Sequence, residues 1–532
     1  MNTWKNKIKK EHIYVGAILL VAFLLRVIAL DSIPRGVNQD EAMAAVDAWA
    51  LSKYGTDRFG MQFPVHFTAW AYGQMSVLLS YCMVPCIWLF GFTTFAIRLP
   101  MVIASVVGVL FIYLIGKKLF APKMAYAMMA FAAINPWQFM QSRWSLDCNL
   151  FPHIFLIGFY LLLCGLEKRK YLYLSMFFFG LTFYCYGVAV YTVPVFLFVF
   201  AVWCLWKKQL KWKEILISVI IFALVALPEI LTMMINMFGW ETIETPWFTM
   251  AYFPESIRSN DILFLNFSFR QLGRNALSMW KQVFLQRPDA LYNALPKFGP
   301  MYQLSTPFLF VGIVSFVKRL FTNKEMKSKT RDMALLGFLI MGIWAGLTTY
   351  EVNLNRINII FYPLMILAIY GIAVCVSWFK KFAPYVRNGF VVAYAILALM
   401  FFTQYFGEFP SQIERMFNKN FLTIVQEADA LEEYDRLQIS ANVDWQTNWK
   451  MAEILTQYAC KLDALYVQGE TNETGGRELL PYNQRYQYPY MQYQSEFSKD
   501  ALYIVAEGDL GYLKGEFDVI LRQGPFYAID FR

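Results

Sequence analysis

The chain has few charged residues and few histidines for its length. Of its 532 residues only 16% are charged and three are histidines, whereas 58% are hydrophobic. A soluble domain usually carries about 25% charged residues, so this deficit argues against a soluble protein throughout. The apolar residues come in runs, such as 18–30, 101–115 and 357–376. Runs near twenty residues match the ~30 Å hydrocarbon core of a bilayer, which predicts a bundle of transmembrane α-helices.

Several sequence signatures are also missing. No small-residue cleavage site follows the apolar run at 14–30, so the first span is expected to stay as an anchor. The eight cysteines form no disulfide framework, and Cys82 and Cys86 do not have a zinc spacing. His12, His66 and His153 are scattered and make no metal motif. The residues leave open whether a divalent metal takes part, and the lack of a Gly-rich phosphate loop argues against a nucleotide.

The net charge of +9 comes from basic clusters in short loops between apolar runs. This is the positive-inside pattern of membrane proteins rather than a nucleic-acid surface. Placing every cluster in the cytoplasm requires an even number of crossings between neighbouring clusters. The stretch 75–91 contains a central proline and is therefore predicted to lie at the interface instead of crossing. About eleven spans result, with the N-terminus inside and long outer loops at 31–97 and 239–305.

The tail changes character after about residue 405. Charged residues return, and short β-type runs alternate with helical patterns. The predicted strands are 437–439, 464–467, 501–505, 517–521 and 527–531, and the predicted helices are 412–434 and 447–462. We therefore expect a transmembrane module at 1–405 and a small extracytoplasmic α/β domain at 406–532.

Two carboxylates follow the first span almost directly. Asp40 and Glu41 are predicted to lie at the outer membrane surface, at the start of a helix. They would there suit either a functional site or simple capping of the positive helix end. Arg143 and Asp147 follow the third predicted span. They would either pair along one helix face or supply a second carboxylate that orients a substrate.

Three arginines lie near the outer membrane boundary. Arg98 begins the second predicted span, Arg356 precedes the tenth, and Arg26 lies within the first. Charges at this depth are costly unless paired or hydrated, and the planar guanidinium suits a phosphate. Snorkelling to headgroups is the alternative. Glu229, near the outer end of the seventh span, is a candidate partner for one of them.

Two further features are weaker candidates. His66 shares the first outer loop with Asp40. The tail also contains a tyrosine-rich stretch, which would suit sugar rings or simply pack a loop. Its tyrosines are Tyr482, Tyr486, Tyr488, Tyr490 and Tyr493.

The ordered set of motifs resembles the GT-C superfamily of membrane glycosyltransferases, nearest to the family 39 protein O-mannosyltransferases and lipid A aminoarabinose transferases. The resemblance covers roughly residues 10–380. The matching elements are Asp40-Glu41, Phe90-Gly91 with Phe95–Pro100, Asn135-Pro136 with Ser142-Arg143 and Asp147, and Asn355-Arg356. One element departs from the pattern. Relatives often have Pro-Pro-Leu where this chain has 71–75, which bears on the sugar or the acceptor rather than on the reaction type.

The resemblance implies a role for each matching residue. Asp40 would deprotonate the acceptor, Glu41 would support it or hold the first loop, and Asp147 would be a second outer carboxylate. Arg98 would bind the donor phosphate or stabilise the loop. Arg143 and Arg356 are the other candidates for binding the donor phosphate. The implied donor is a polyprenyl-phosphate sugar, and the acceptor is a lipid, a glycan or a protein.

The expected reaction is an inverting transfer on the outer face of the cell membrane. Two rival functions share the hydrophobicity and the buried arginines. A flippase or transporter of lipid-linked saccharides would more often show helices interrupted in repeated halves, and no repeat is visible. A non-catalytic assembly protein would tolerate the loss of Asp40.

Overall fold

A computed structural model describes residues 2–71, 73–253, 268–468, 470–471, 477–478 and 484–531. The chain divides into two compact units, each built from three separate segments. The first, called here the helical unit, comprises residues 1–28, 101–231 and 257–405. The second, called here the mixed unit, comprises residues 29–100, 232–256 and 406–532.

The described residues form the following helices, in chain order: α1 (Asn2–Val27), α2 (Gln39–Tyr54), α3 (Leu78–Phe90), α4 (Thr94–Leu119), α5 (Pro122–Ile134), α6 (Pro136–Met140), α7 (Asp147–Gly165), α8 (Arg169–Leu181), α9 (Gly187–Trp206), α10 (Trp212–Phe238), α11 (Phe269–Met279), α12 (Ser305–Thr322), α13 (Met326–Thr348), α14 (Phe361–Trp378), α15 (Ala383–Gly407), α16 (Phe409–Ile413), α17 (Lys419–Asp429), α18 (Trp449–Ala459) and α19 (Leu465–Gln468).

The strands of the same residues are β1 (His66–Thr68), β2 (Gln74–Ser76), β3 (Ile243–Glu244), β4 (Thr249–Met250), β5 (Arg436–Ile439), β6 (Glu470–Thr471), β7 (Arg477–Glu478), β8 (Tyr486–Gln487), β9 (Ala501–Ala506), β10 (Phe517–Gln523) and β11 (Phe526–Phe531).

Eight helices of the described residues are long and apolar enough to cross a membrane, which makes the chain a multi-pass membrane protein. They are α4, α7, α9, α10, α12, α13, α14 with its preceding 3₁₀ turn, and α15. The sequence predicted about eleven spans, and the three others fall on α1, α5 and α8. Helices α5 and α8 have only 13 residues each. The first ends at Asn135, whose side chain caps α6, and the second runs into a 3₁₀ turn at Thr182–Tyr184.

Helix α3 occupies the stretch that was predicted to lie at the interface. It has 13 residues and contains Pro85. Thirteen residues rise only about 20 Å in an α-helix, which is less than the thickness of the hydrocarbon core. Its length therefore agrees with a helix that does not cross.

Close helix packing in the helical unit depends on small residues. Helices α12 and α14 meet at Gly312 and Gly371. A Cβ added at Gly371 would lie 1.8 Å from the carbonyl oxygen of Phe308, and one at Gly312 would lie 1.9 Å from that of Leu367. Only glycine allows this approach, as is common between membrane helices.

The C-terminal part of the mixed unit contains a five-stranded sheet in the order β10-β11-β9-β5-β8. Strand β5 runs parallel to β8 and β9, whereas β11 runs antiparallel to both β9 and β10. The predicted strands at 437–439, 501–505, 517–521 and 527–531 are confirmed. The strand predicted at 464–467 is wrong, because Leu465–Gln468 forms the short helix α19.

The tail and the first predicted outer loop belong to the same unit. Helix α2 packs against both α3 and α18, and Lys53 of α2 forms an ion pair with Asp463 (2.7 Å). Strand β4 joins as well, because Val65 N donates to the Thr249 carbonyl (3.0 Å). By its contacts, the tail is therefore one component of a larger unit.

Candidate functional site

The acidic pair lies in the first turn of α2. The Asn38 side chain caps the helix by accepting a hydrogen bond from Asp40 N (3.0 Å). Asp40 is half-buried, and its Oδ1 accepts a hydrogen bond from the Trp70 indole N–H at 2.6 Å. Trp70 is a contact that the sequence did not indicate, since it lies thirty residues further on. The carboxylate therefore lies at the positive end of α2.

Glu41 is held quite differently from its neighbour. It is fully buried, and both its carboxylate oxygens bind the guanidinium of Arg98 in a bidentate pair at 2.9 and 3.0 Å. Arg98 is itself fully buried. Bidentate pairs of this kind add geometric specificity to charge attraction.

Arg98 also binds the backbone that leads into α2. Its guanidinium donates to the carbonyl oxygens of Leu30 (3.1 Å), Pro34 (3.0 Å) and Gly36 (2.7 Å). A guanidinium has five N–H donors, and these contacts with Glu41 use all five. Of the two roles implied by the resemblance, this geometry supports loop stabilisation. Direct binding of a phosphate by Arg98 would require one of these bonds to break.

A second buried charge cluster in the first loop was not predicted. Asp47 is fully buried and receives Arg58 Nη1 at 2.6 Å and Arg58 N at 3.1 Å. Asp57, also buried, interacts electrostatically with Asp47. Burial raises the pKa of Asp47 to about 7, opposed by Arg58 and reinforced by Asp57. A seven-residue interval places Asp40 and Asp47 near the same face of α2. This spacing was the sequence signal that could have indicated an acidic helix face.

Arg143 and Asp147 lie in the helical unit but do not share a helix face as one alternative assumed. Arg143 precedes α7, whereas Asp147 is the first residue of α7. Arg143 is fully buried; its Nε donates to the Tyr405 hydroxyl (3.2 Å) and its Nη1 to the Arg26 carbonyl (2.7 Å). Asp147 is only 6% exposed, and its Oδ1 accepts from Cys148 N (2.6 Å).

Arg26 is fully buried in α1, so the snorkelling alternative is wrong for this residue. Its guanidinium donates to Ser105 Oγ (2.9 Å), to the Gln138 side-chain oxygen, and to the carbonyls of Ala22 (2.9 Å) and Ala133 (3.1 Å). In the part of the chain that the structure describes, no carboxylate lies within ion-pair distance of it. Its positive charge is thus solvated by neutral oxygens.

Arg356 is more accessible than the other three arginines. It is half-buried, and its Nη1 donates to the Glu351 carbonyl (3.0 Å) and to Thr349 Oγ1 (3.4 Å). Both acceptors are neutral and close in sequence. Glu229, considered as a partner for an arginine, is buried in α10.

His66 and the tyrosine-rich stretch, the weaker candidates, lie in different environments. His66 is buried in β1, and among the described residues no three His, Cys, Asp or Glu side chains form a group able to hold a metal. Tyr486 is buried and donates to Asp429 Oδ1 (2.6 Å), whereas Tyr493 is 79% exposed. Tyr482 lies outside the described residues.

Comparisons with known proteins agree with this architecture. Residues 74–231 match the family described as dolichyl-phosphate-mannose-protein mannosyltransferase. No curated protein sequence matches the chain. The structure of ArnT from Cupriavidus metallidurans bound to undecaprenyl phosphate aligns over 97% of this chain and 98% of its own, with a TM-score of 0.55 and 12% identity. Its apo state aligns over 98% of both chains, with a TM-score of 0.55 and 13% identity.

A third solved structure is more distant. The Archaeoglobus fulgidus oligosaccharyltransferase in complex with Zn and sulfate aligns over 83% of this chain and 61% of its own, with a TM-score of 0.52 and 13% identity. At such identities the structural matches establish the fold. The resemblance to the family 39 type of GT-C membrane glycosyltransferases is therefore confirmed, in sequence over residues 74–231 and in fold over nearly the whole chain.

Proposed function

We propose that the protein is an inverting glycosyltransferase that moves a sugar from a polyprenyl-phosphate donor to an acceptor on the outer face of the membrane. One observation carries the proposal: two adjacent carboxylates differ in burial. Glu41 is fully buried with both oxygens bound to Arg98, whereas Asp40 is half-buried and accepts a hydrogen bond from the Trp70 indole N–H. The first arrangement suits a support, and the second suits a base.

Asp40 is the proposed general base. It takes the proton from an acceptor hydroxyl or amine, whose lone pair then attacks the anomeric carbon of the donor. The bond between that carbon and the phosphate oxygen breaks, and the polyprenyl phosphate leaves with the electron pair. A single displacement of this kind inverts the anomeric centre. General-base assistance typically contributes ~10²–10⁴-fold to the rate.

The leaving phosphate needs positive charge as the bond breaks. Arg356 is the most accessible of the predicted phosphate-binding arginines, because it is half-buried whereas Arg98 and Arg143 are fully buried. Arg143 is buried, and its proposed contribution is positive charge that stabilises the leaving phosphate. Arg98 acts indirectly, by fixing Glu41 and the loop. Asp147 is the proposed second carboxylate, which orients the substrate.

The donor class rests on the family match and on ArnT, whose structure was solved with undecaprenyl phosphate. The acceptor is a lipid, a glycan or a protein. We further propose that α1, α5 with α6, and α8 with its 3₁₀ turn complete eleven crossings, with the N-terminus in the cytoplasm. Cysteines at positions 40 and 450, but not at 210, should then react with an impermeant thiol reagent in whole cells. The exposed native Cys82 has to be replaced first.

Transfer in proteoliposomes tests the function. Purified protein is supplied with polyprenyl-phosphate sugars, and candidate acceptors are found by mass spectrometry of surface glycans with and without the gene. Wild-type protein should yield free polyprenyl phosphate and glycosylated acceptor in equal amounts. Movement of the donor across the bilayer with no product would instead favour the flippase alternative.

A further inference from the structure

The tail of the mixed unit reaches the segment that leads into the proposed base. Val37 lies three residues before Asp40, and its N–H donates to the Phe417 carbonyl at 2.7 Å. The Asn418 side chain donates from Nδ2 to the Val37 carbonyl at 3.1 Å. Both polar groups of the Val37 backbone are therefore bound by two consecutive tail residues.

The Asn418 amide is fixed on both sides. Its Oδ1 accepts a hydrogen bond from the Trp445 indole N–H at 2.9 Å, which leaves Nδ2 facing Val37. Asn418 is 4% exposed and has φ +53°, in the left-handed region that asparagine tolerates better than most residues. The side chain and the backbone conformation at this position are thus both specified.

The approach of the two segments is close enough to exclude a side chain at residue 36. Gly36 has φ +87°, and a Cβ there would lie 2.1 Å from the Phe417 carbonyl oxygen and 2.9 Å from Lys419 N. On its other side, the Gly36 carbonyl accepts from Arg98. The segment before α2 is therefore bound by Arg98 at Pro34 and Gly36 and by the tail at Val37.

The segment held by these hydrogen bonds leads directly into the N-cap of α2. Asn38 follows Val37, and its side chain accepts from Asp40 N. A shift of the Val37 peptide would consequently move the cap and the first turn of α2. A displacement of 1 Å can cost up to about 10²-fold in rate when it misplaces a reacting group.

We propose that Asn418 is a positioning residue, through which the C-terminal domain aligns Asp40 for proton abstraction. The inference rests on the proposed function of Asp40. It assigns the tail a part in the catalytic step, in place of a separate role in binding an acceptor. The acceptor can then be recognised elsewhere, and the tail becomes necessary for turnover with any acceptor.

Two variants at position 418 distinguish the effect of the side-chain amide from the effect of the left-handed backbone conformation. Asn418→Gly keeps the left-handed conformation at no steric cost and removes the amide. Asn418→Asp keeps the shape but places a carboxylate oxygen against the Val37 carbonyl. Both should lower kcat by about 10–100-fold, with the KM values for donor and acceptor changed less than about threefold.

A matched control comes from the same domain. Asn442 donates to Asp509 at 3.2 Å, and within the described residues its side chain has no hydrogen bond to residues 34–38. Asn442→Asp should lower the thermal midpoint, since it sets two carboxylates against each other, yet keep kcat per donor-binding site within about twofold of wild type.

The readout is kcat per donor-binding site, counted by titration with the polyprenyl-phosphate sugar. Loss of kcat in both Asn418 variants, with sites and KM preserved, is the expected result. Normal kcat per site in Asn418→Gly would overturn the positioning role, even if the protein were less stable. An inactive wild-type protein would instead contradict the proposed function itself, so the two failures are distinguishable.

Discussion

Two fully buried arginines, one in each unit, are held in opposite ways. Arg98 in the mixed unit is neutralised by Glu41 and completes its bonding with three loop carbonyls. Among the described residues, Arg26 in the helical unit has only neutral acceptors, contributed by α1, α4 and the residues around α6. The first arginine forms an ion pair with its charge balanced, and the second has no carboxylate partner in that part of the chain.

Burial of a charge-balanced arginine indicates a structural role, whereas burial of an unbalanced one indicates a ligand. A balanced and fully bonded pair has little left to offer a substrate, so it serves the fold. An uncompensated buried cation is expensive, and its cost is reduced when an anion binds nearby. The comparison therefore assigns loop anchoring to Arg98. It leaves Arg356 and Arg143 as the proposed phosphate-binding arginines and adds the buried charge of Arg26 to the same unit.

The largest effect on stability is expected from Arg98→Ala. Removing one partner of a buried pair leaves Glu41 charged and unpaired, which typically costs ~3–5 kcal/mol. The variant should unfold at a much lower temperature in detergent or fail to accumulate. Arg98→Lys should restore part of the loss, because it keeps the charge without the fork geometry.

Arg415 provides the control for this comparison. It forms an ion pair with Asp444 at 2.8 Å but is 65% exposed. Exposed pairs contribute ~0–1 kcal/mol, so Arg415→Ala should be nearly neutral. A stable Arg98→Ala protein that had lost donor binding would contradict the anchoring role and return Arg98 to the phosphate site.

A smaller effect, on binding alone, is expected from Arg356→Ala. Hydrogen bonds to charged groups contribute ~1.5–3 kcal/mol, which corresponds to about 10–100-fold in donor Kd. Thermal stability should hardly change, because this arginine is half-exposed. The control is Arg387→Ala, an exposed arginine in a predicted cytoplasmic cluster. Equal donor affinity in the two variants would remove Arg356 from the site.

A further effect concerns pH. Burial raises the pKa of Asp47 to about 7 and also raises the pKa of Asp57. A raised carboxyl pKa means that the folded state keeps a proton which the unfolded state has lost. Stability should therefore fall between about pH 4 and 7, by at most ~1.4 kcal/mol per pH unit for each proton.

Asp57→Asn tests this dependence directly. The side-chain oxygen can still accept from Phe59 N and Met61 N, both at 2.9 Å in the wild type, while the like charge beside Asp47 is gone. Thermal midpoints measured from pH 5 to 8 should vary less in the variant. An unchanged slope of the thermal midpoint against pH would mean that the charge of Asp57 does not raise the pKa of Asp47.

Much of the fold could be predicted because apolar runs and basic loops report membrane crossing directly. Helices α5 and α8 were harder to predict. Their runs are apolar throughout, and the breaks arise from a side-chain cap at Asn135 and from a 3₁₀ turn rather than from polarity. The short helix α19 was mistaken for a strand because four residues are too few to show a period.

The candidate site was only partly predictable for a similar reason. Asp40, Glu41 and Arg98 have recognisable neighbours in sequence, so their importance could be inferred. Which of them bonds to which depends on contacts between residues 57 positions apart. The contact of Asn418 with Val37 spans 381 positions and has no local signal. Spacing rules describe neighbours on one element and cannot reach such pairs.

Asp40 and Glu41 are proposed to have different roles, and the turnover of Asp40→Asn is the measurement that distinguishes them. Asparagine keeps the size and can still accept the Trp70 hydrogen bond, but it cannot take the proton. Transfer from a polyprenyl-phosphate sugar should fall ~10²–10⁴-fold, with donor binding and thermal stability preserved. Glu41→Gln should lose stability more than turnover per folded molecule. Near-normal turnover by Asp40→Asn would contradict the account and direct attention to Asp147.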